Sequence, residues 1–393
     1  MGSRQANAGQ QMAIVVVSTF LGFLGIGAIL PVLAPHVRHD LGQSDVILGF
    51  AIGIFSIVAL AARLISGPVT DRRGRKYSYT AGLALCSLAG VAYLLPFGIW
   101  AVFAGRILQG IGEAFLFTGA AAWIVELGGA DRQARSLGWL SSGIWGGISV
   151  GPVIGQFLGA FDSAAWMLVL TPLPAIAALR FVPELYTPPP PRERTSWIPR
   201  GAIMPGVVLG FVNVHYPAIA GFLVLHLADR GNVGGTGVAL YAAMILASRF
   251  FLGGLPDKLS PSITFYAGVS MMAAGLLITA ASPPAPIALA AAALTGFGFS
   301  FPWPSIAITV LKRADPAERA STLGAVSAFV DAFVGVSALL SGKVAKSYGY
   351  PAVYLVASAG VAISAVLAYG YLKEPGTEPE PALSRASVYN EES

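Results

Sequence analysis

Arg63-Leu-Ile-Ser-Gly67-Pro-Val-Thr-Asp71-Arg72-Arg73-Gly74-Arg75-Lys76 decides the fold, because part of it is written twice. Arg63, Gly67 and Asp71 return at the same spacing as Arg249, Gly253 and Asp257, an offset of 186 residues. The same offset carries Gly110 and Gly112 to Gly296 and Gly298, Leu137 and Gly138 to Leu323 and Gly324, and Pro31 to Pro217. One constant displacement at four well-separated places implies duplication of a unit half the chain long, not a short solenoid repeat. In an apolar chain, two repeated halves imply a transporter whose site lies between them.

The chain is that apolar. Of its 393 residues 55% are hydrophobic and 11% charged, and the mean hydropathy is +0.71. A soluble domain carries about twice that charged fraction. The 47 Gly and 27 Pro also suit membrane helices better than soluble ones. Twelve apolar stretches reach spanning length, roughly 20 residues each. They run over 12–34, 46–69, 78–95, 99–124, 136–160 and 165–182, then 203–227, 236–256, 262–281, 287–311, 321–342 and 352–372.

These stretches predict an all-α integral membrane protein of two pseudo-symmetric six-helix bundles, 12–182 and 203–372, with short tails at 1–11 and 373–393. The linker 183–202 contains Pro188 to Pro191, a run that favours an extended, semi-rigid spacer. The second tail, rich in Pro, Glu and Ser, reads as disordered. The first span is too long for a signal peptide and lacks a small-residue cleavage pattern. Cys86, the single cysteine, lies in the third span, which excludes disulfides and thiolate metal sites.

Twelve spans put both termini on one side, and the basic residues choose which. Of the 24 Lys and Arg, seventeen fall on that side, including Arg72, Arg73, Arg75, Lys76, Arg132, Arg135, Arg192, Arg194, Lys312, Arg313 and Arg319. Four (Arg38, Arg230, Lys343, Lys346) fall opposite, and Arg63, Arg106 and Arg249 lie inside spans. The positive-inside bias predicts cytoplasmic termini. Topology thereby accounts for a pI near 9.3, and scattered charges in short loops argue against a nucleic-acid surface.

The stretch from Gly67 to Lys76 resembles the signature loop between helices two and three of the major facilitator superfamily. The resemblance extends over residues 12–372 and implies two bundles around one cavity that work by alternating access. In that family the acid matching Asp71 contacts the start of helix eleven, here Ser321-Thr322 preceded by Arg319. Gly67, Asp71, Arg72, Gly74 and Arg75 would then form a cytoplasmic latch, with Gly67 permitting close helix contact and Gly74 a tight turn. The second copy keeps Gly253 and Asp257 but loses the Gly-Arg-Lys element. Asp257 would meet the start of helix five near Arg135 and Ser136.

Span four reads Arg106-Ile-Leu-Gln109-Gly110-Ile-Gly112-Glu113, similar to the family's fourth-helix motif. Arg106, Gly110 and Glu113 share one helical face. Charges inside a span are costly, so Arg106 and Glu113 are expected to face a cavity or each other. The resemblance ties Arg106 to proton movement. A mid-span carboxylate such as Glu113 is what proton coupling requires, and a structural Arg106–Glu113 pair is the plainer alternative. Asp331 in span eleven is a secondary proton candidate, with no partner visible in the sequence. In span five, Gly146-Gly147-Ile-Ser-Val-Gly151-Pro152-Val-Ile-Gly155 resembles the motif of family exporters that exchange solute for protons. Small residues every four positions would by themselves serve close packing.

Candidate substrate residues are Asn213, His215 and Tyr216 beside Pro217, Phe301 and Trp303 in the proline-broken span ten, and Gln109 and Trp145. The irregular stretches around Pro31 and Pro217 are expected to flank the cavity. Phe299 and Trp139 add aromatic surface, while Trp100, Trp166 and Trp123 lie near span ends and read as interfacial. His36 and His39 form a His-x-x-His pair without a third ligand, so no metal site is expected. No phosphate loop is present, which leaves an ATP-driven pump unsupported, and no nucleophile is paired with a His base. Neither cofactor nor enzyme activity is expected.

The resulting expectation is a monomeric, multi-pass transporter of a bacterial inner membrane, its partners being protons, lipid and a small substrate. It would export amphipathic or drug-like compounds against protons. Two alternatives remain. One is proton-coupled uptake of a sugar or organic anion, gripped by Arg106. The other is a non-transporting receptor on the same scaffold.

Overall fold

The computed structural model describes residues 2–128, 133–184, 199–230, 233–252, 259–314 and 319–373. In chain order the long helices are α1 (Gly9–Asp40), α2 (Asp45–Arg73), α3 (Arg75–Tyr93), α4 (Ile99–Gly128), α5 (Ser136–Leu158) and α6 (Phe161–Phe181). The second half gives α7 (Arg200–His226), α8 (Val233–Leu252), α9 (Pro261–Ala280), α10 (Ala285–Arg313), α11 (Thr322–Tyr348) and α12 (Tyr350–Lys373). Eleven of these are long and apolar enough to cross a membrane. The twelfth, α3, has 19 residues and opens on the polar run Arg75 to Thr80. The all-α membrane architecture expected from the sequence is the one observed.

Local chemistry sets the boundaries. The Ser44 hydroxyl accepts from the Ile47 N–H and starts α2, and Ser260 does the same for α9 through Ile263. Gly74 ends α2 at φ 96°, a backbone region that side chains disfavour. The Glu184 carboxylate then accepts the N–H groups of Arg75 and Lys76, the free donors at the start of α3. Four spanning helices break internally, α6 among them at Thr171 ahead of Pro172. α1 is interrupted at Ile29 and ends in a π-turn over His36–Asp40, and α7 is interrupted at Val214 with a π-turn over Ala218–Phe222. α10 breaks at Ser300 and Phe301, ahead of Pro302.

The halves repeat each other's packing. α1 lies on α5, α2 and α3 on α4; correspondingly α7 lies on α11, and α8 and α9 on α10. The α1–α5 contact is a glycine ladder. A Cβ at Gly143, Gly147 or Gly151 would stand 2.7, 2.5 and 2.5 Å from the carbonyls of Val16, Phe20 and Leu24, and one at Gly155 would meet the Ala28 carbonyl. In the α7–α11 copy the glycines change sides: Gly206 and Gly210 face the rings of Phe329 and Phe333. Gly151→Leu is therefore expected to destabilise the first bundle by about 1–3 kcal/mol through overpacking. A lowered thermal midpoint in detergent would reveal it, and an unchanged midpoint would contradict the ladder.

Between halves, α2 packs on α11 and α5 on α8. The α2–α11 seam is built of small residues. Gly49 faces the Ala338 carbonyl at 2.6 Å, Gly53 the Gly335 carbonyl at 2.7 Å, and Gly342 the Asp45 carbonyl at 2.5 Å. Tyr350 donates to Asp45 at 3.1 Å, and Asp45 also pairs with Arg38 at 2.9 Å. This closes the α2–α11 side of the end opposite the termini, while on the other side of that end a pocket of about 530 Å³ lies between His36, Gln156 and Val224. Toward the terminal end, nothing among the described residues lies within 4 Å of where a Cβ would stand on Gly67, Gly138 or Gly324. Among the described residues the close helix contact expected at Gly67 is not made, and the seam contacts of α2 lie toward its other end. Asp257 itself and the side chains of Arg135, Arg319 and Ser321 lie outside the described residues, while Thr322 and Ser136, the other partners expected for Asp71 and Asp257, are buried. The linker prolines and the second tail fall outside them as well.

Candidate functional site

The closed seam ends on an ion cluster inside the membrane span. Arg63 of α2 donates through Nε to Asp331 of α11 at 2.8 Å, and through an η nitrogen to both Glu113 oxygens at 3.1 Å. Its guanidinium also lies 4.8 Å from the centre of the Phe117 ring. Arg63 and Glu113 belong to the first half and Asp331 to the second. One cation therefore serves a carboxylate in its own half and a carboxylate in the other. The group is largely but not wholly dehydrated, with side chains 18%, 10% and 20% exposed.

Arg106 does not pair with Glu113, so the structural pair that was the plainer alternative is not formed. Seven residues along a helix separate two groups by about 10 Å, and α2 runs parallel to α4 beside them, so Arg106 meets Ala51 and Ile52 while Glu113 meets Arg63. Arg106 is consumed first: it donates to the Ala51 and Ile52 carbonyls at 2.9 and 3.1 Å and to Gln109 at 2.9 Å. It lies 4.5 Å from the centre of the Phe55 ring. Gln109, a substrate candidate from sequence, is buried in this network and also accepts from Tyr93 at 2.7 Å. Both side chains tie α4 to its neighbours and are unavailable to solute in this conformation.

Between the halves lies a narrow apolar cleft of about 20 Å³, room for about one water in this conformation, lined by Trp145 and Ser149 of α5, Tyr216 of α7, Tyr241 and Ile245 of α8, and Phe299 of α10. Trp145 and Tyr216 stand where the sequence placed them. Other candidates stand elsewhere. Asn213 donates to the Leu209 carbonyl of its own helix at 2.8 Å. His215 is buried behind the cavity, between the Val212 carbonyl at 2.7 Å and the Tyr241 hydroxyl at 2.9 Å. Phe301 turns away, onto Gly268 of α9 and Phe297, because the break in α10 rotates it off the face of Phe299. Trp303 is half-buried against the core and is not among the lining residues.

Trp123, expected at the interface, is fully buried and set edge-on to Tyr79, since α4 continues to Gly128 and carries it beneath α1 and α3. Trp139 is 54% exposed and adds nothing to the cavity. Of the span-five motif, Gly147, Gly151 and Gly155 face α1, while Pro152 reaches the cavity wall. His36 bonds Asp40 at 2.8 Å and stacks on Phe161 at 3.9 Å. Asp71 is exposed, and Arg75 pairs with Glu126 at 2.8 Å.

The family model described as Major Facilitator Superfamily matches residues 15–228 and 206–389 of this chain. The chain belongs to the major facilitator superfamily. Among superfamily relatives, an uncharacterised MFS-type transporter of Salmonella typhimurium is 28% identical over 367 residues, covering 90% of this chain and 95% of its own. Another from Burkholderia pseudomallei strain K96243 is 30% identical over 382 residues, covering 91% and 92%. Solved structures share the fold at low identity. A bacterial homologue of the human lysosomal transporter Spinster, inward-facing and unoccupied, superposes with TM-score 0.75 at 15% identity, covering 93% of this chain and 97% of that one. The nucleoside transporter NupG gives 0.71 at 14% identity, covering 93% and 100%. The protein is therefore a multi-pass membrane transporter of the superfamily.

Arg63 and Arg249 are the site residues that sequence reasoning noticed but gave no role. A signal for both was present. The repeat offset that carries Arg63 to Arg249 also carries Trp145 to Asp331 and Glu113 to Phe299. In this superfamily member those six positions form two symmetric clusters: Arg63 reaches Asp331 across the halves, and Arg249 lies 3.9 Å from the centre of the Trp145 ring across the halves.

Proposed function

We propose that the chain is a proton-driven exporter of small amphipathic compounds in a bacterial inner membrane, with both termini cytoplasmic. The orientation rests on the basic residues at the terminal end, and the end closed by the α2–α11 seam is then the outer one. Export is favoured by the likeness of Gly147, Gly151, Pro152 and Gly155 to the antiporter motif. One observation carries the coupling: Arg63 is shared between Glu113 in its own half and Asp331 in the other.

The sign follows from competition for that cation. With Glu113 protonated, Arg63 belongs to Asp331 alone, the bridge across the halves is strongest, and the outer seam stays shut. When Glu113 releases its proton to the cytoplasm, its carboxylate draws Arg63 back into the first half. The bridge weakens, and a bound solute can drive the seam open. Protons thus favour the inward-open form and proton loss the outward-open form, which is the order that antiport needs. Asp331 is the anchor and Glu113 the carrier. Arg106, bonded to α2 carbonyls, holds α4 in register.

Acid-loaded everted vesicles test this. Adding transported solute is expected to release protons with intact protein and not with Glu113→Gln, while Glu113→Gln still binds solute. Solute-driven proton release that persists in Glu113→Gln would remove the carboxylate from the coupling. Solute flux with no proton release in the intact protein would turn the reading toward facilitated transport or uptake.

A further inference from the structure

The two symmetric clusters differ in one respect that concerns substrate. In the first, Arg63 has two carboxylates; in the second, the positions of Glu113 and Asp331 are taken by Phe299 and Trp145. Arg249 consequently stands without an ion-pair partner among the described residues. Its Nε is buried and makes no hydrogen bond there, and its guanidinium rests on the Trp145 ring. Tyr241, Ile245 and Arg249 are spaced i, i+4 and i+8 on one face of α8, so Arg249 sits one turn beyond the cavity wall, on the open, terminal side. A second polar atom in the cavity is likewise unpartnered: the buried hydroxyl of Ser149. A cleft with a cation at its mouth that has no ion-pair partner among the described residues, and an idle hydroxyl in its wall, suits an anion once the halves move apart to widen it.

We propose that the transported compound is an organic anion, a carboxylate or comparable oxyanion carried on a flat apolar body. Its anionic group pairs with Arg249 in the place that Asp331 holds opposite Arg63, and its body lies among Trp145, Tyr216, Tyr241 and Phe299. Because Trp145 belongs to the first half and Arg249 to the second, an anion that takes the guanidinium loosens the contact between α5 and α8. The Arg63 bridge between α2 and α11 remains the proton-sensitive partner of that contact. The duplicated arginine thereby divides the work, one copy answering to protons and the other to substrate. This rests on reading the cavity as the transport site.

Equilibrium binding to purified protein in lipid nanodiscs tests it, using 2-naphthoate, 2-naphthamide and 2-naphthylmethylammonium, which share one ring system and differ in charge. The carboxylate is expected to bind about tenfold or more tightly than the amide, the ammonium compound weakest. Arg249→Gln is expected to erase the preference by weakening carboxylate binding about tenfold or more while amide binding falls far less, and Arg249→Lys to keep part of the preference. Amide binding that survives in Arg249→Gln certifies a folded cavity. Equal binding of the three, binding by none, a preference for the ammonium compound, or a carboxylate preference that outlives Arg249→Gln each overturns the proposal. Solute-driven proton release is read separately. Its persistence alongside a failed anion preference would reject the substrate class and leave the coupling intact, whereas anion binding without proton release would reject the coupling alone.

Discussion

Arg63→Gln is expected to abolish proton-coupled exchange and to open the outer seam, with the protein still folded. The substitution strands Glu113 and Asp331 without their shared cation. Breaking a buried ion pair by removing one partner costs about 3–5 kcal/mol. These side chains keep 10–20% exposure, so the cost is smaller here. At about 2 kcal/mol the conformational equilibrium still moves roughly thirtyfold. Spin labels at His39 and Tyr348, exposed on opposite halves at the seam end, are the readout. They are expected to move apart in Arg63→Gln. Asp331→Asn should also part them, by less, since Arg63 then retains Glu113. The double variant, which removes cation and bridge together, should be less perturbed than the two single effects predict, because the residues share one interaction. Labels that stay at their original separation while exchange continues would strip the cluster of its role.

The fold was legible because the bilayer leaves few choices. Twelve apolar runs, one loop motif and one constant offset specify the helices, their order and their two-fold arrangement. Breaks at Pro31, Pro217 and Pro302 were legible for the same local reason. The site was legible only in part. Glu113 and Asp331 stand out as charges inside spans, but their partner is 50 residues from one and 268 from the other. Nothing in a single apolar helix says how it is rotated against its neighbours. Arg106 shows the consequence: it shares a face with Glu113, yet that face meets α2, whose carbonyls take the guanidinium before a carboxylate can. Phe299 and Phe301 differ by two residues, and the break between them sends one to the cavity and the other to α9. The offset of 186 compensates for part of this, since it relates Asp331 to Trp145 and Glu113 to Phe299 without any coordinates. What it could not supply was the knowledge that these positions touch.

Gly53→Val separates sealing of the seam from the titration that governs it. A Cβ at Gly53 would stand 2.7 Å from the Gly335 carbonyl and 3.3 Å from the Ala338 methyl, on the opposite half. Neither backbone can yield, so the two halves must move apart at that seam. The strain falls between the bundles, not within one. The variant should therefore keep its thermal midpoint, whereas Gly151→Leu, equally crowded but inside the first bundle, should lower it. Exchange is expected to fall at least about fivefold, since overpacking of about 1–3 kcal/mol now weighs directly on the inward-open state. The distance between labels at His39 and Tyr348 should be long at every pH, because the wedge acts whether or not Glu113 carries a proton. In the Arg63 variants the same distance lengthens through loss of attraction, and shrinking the wedge to Gly53→Ala should restore part of the exchange. Full transport by Gly53→Val would mean that the α2–α11 seam need not close during the cycle. The Arg63–Asp331 bridge would then lie outside the transport path, however well placed it is at the seam's edge.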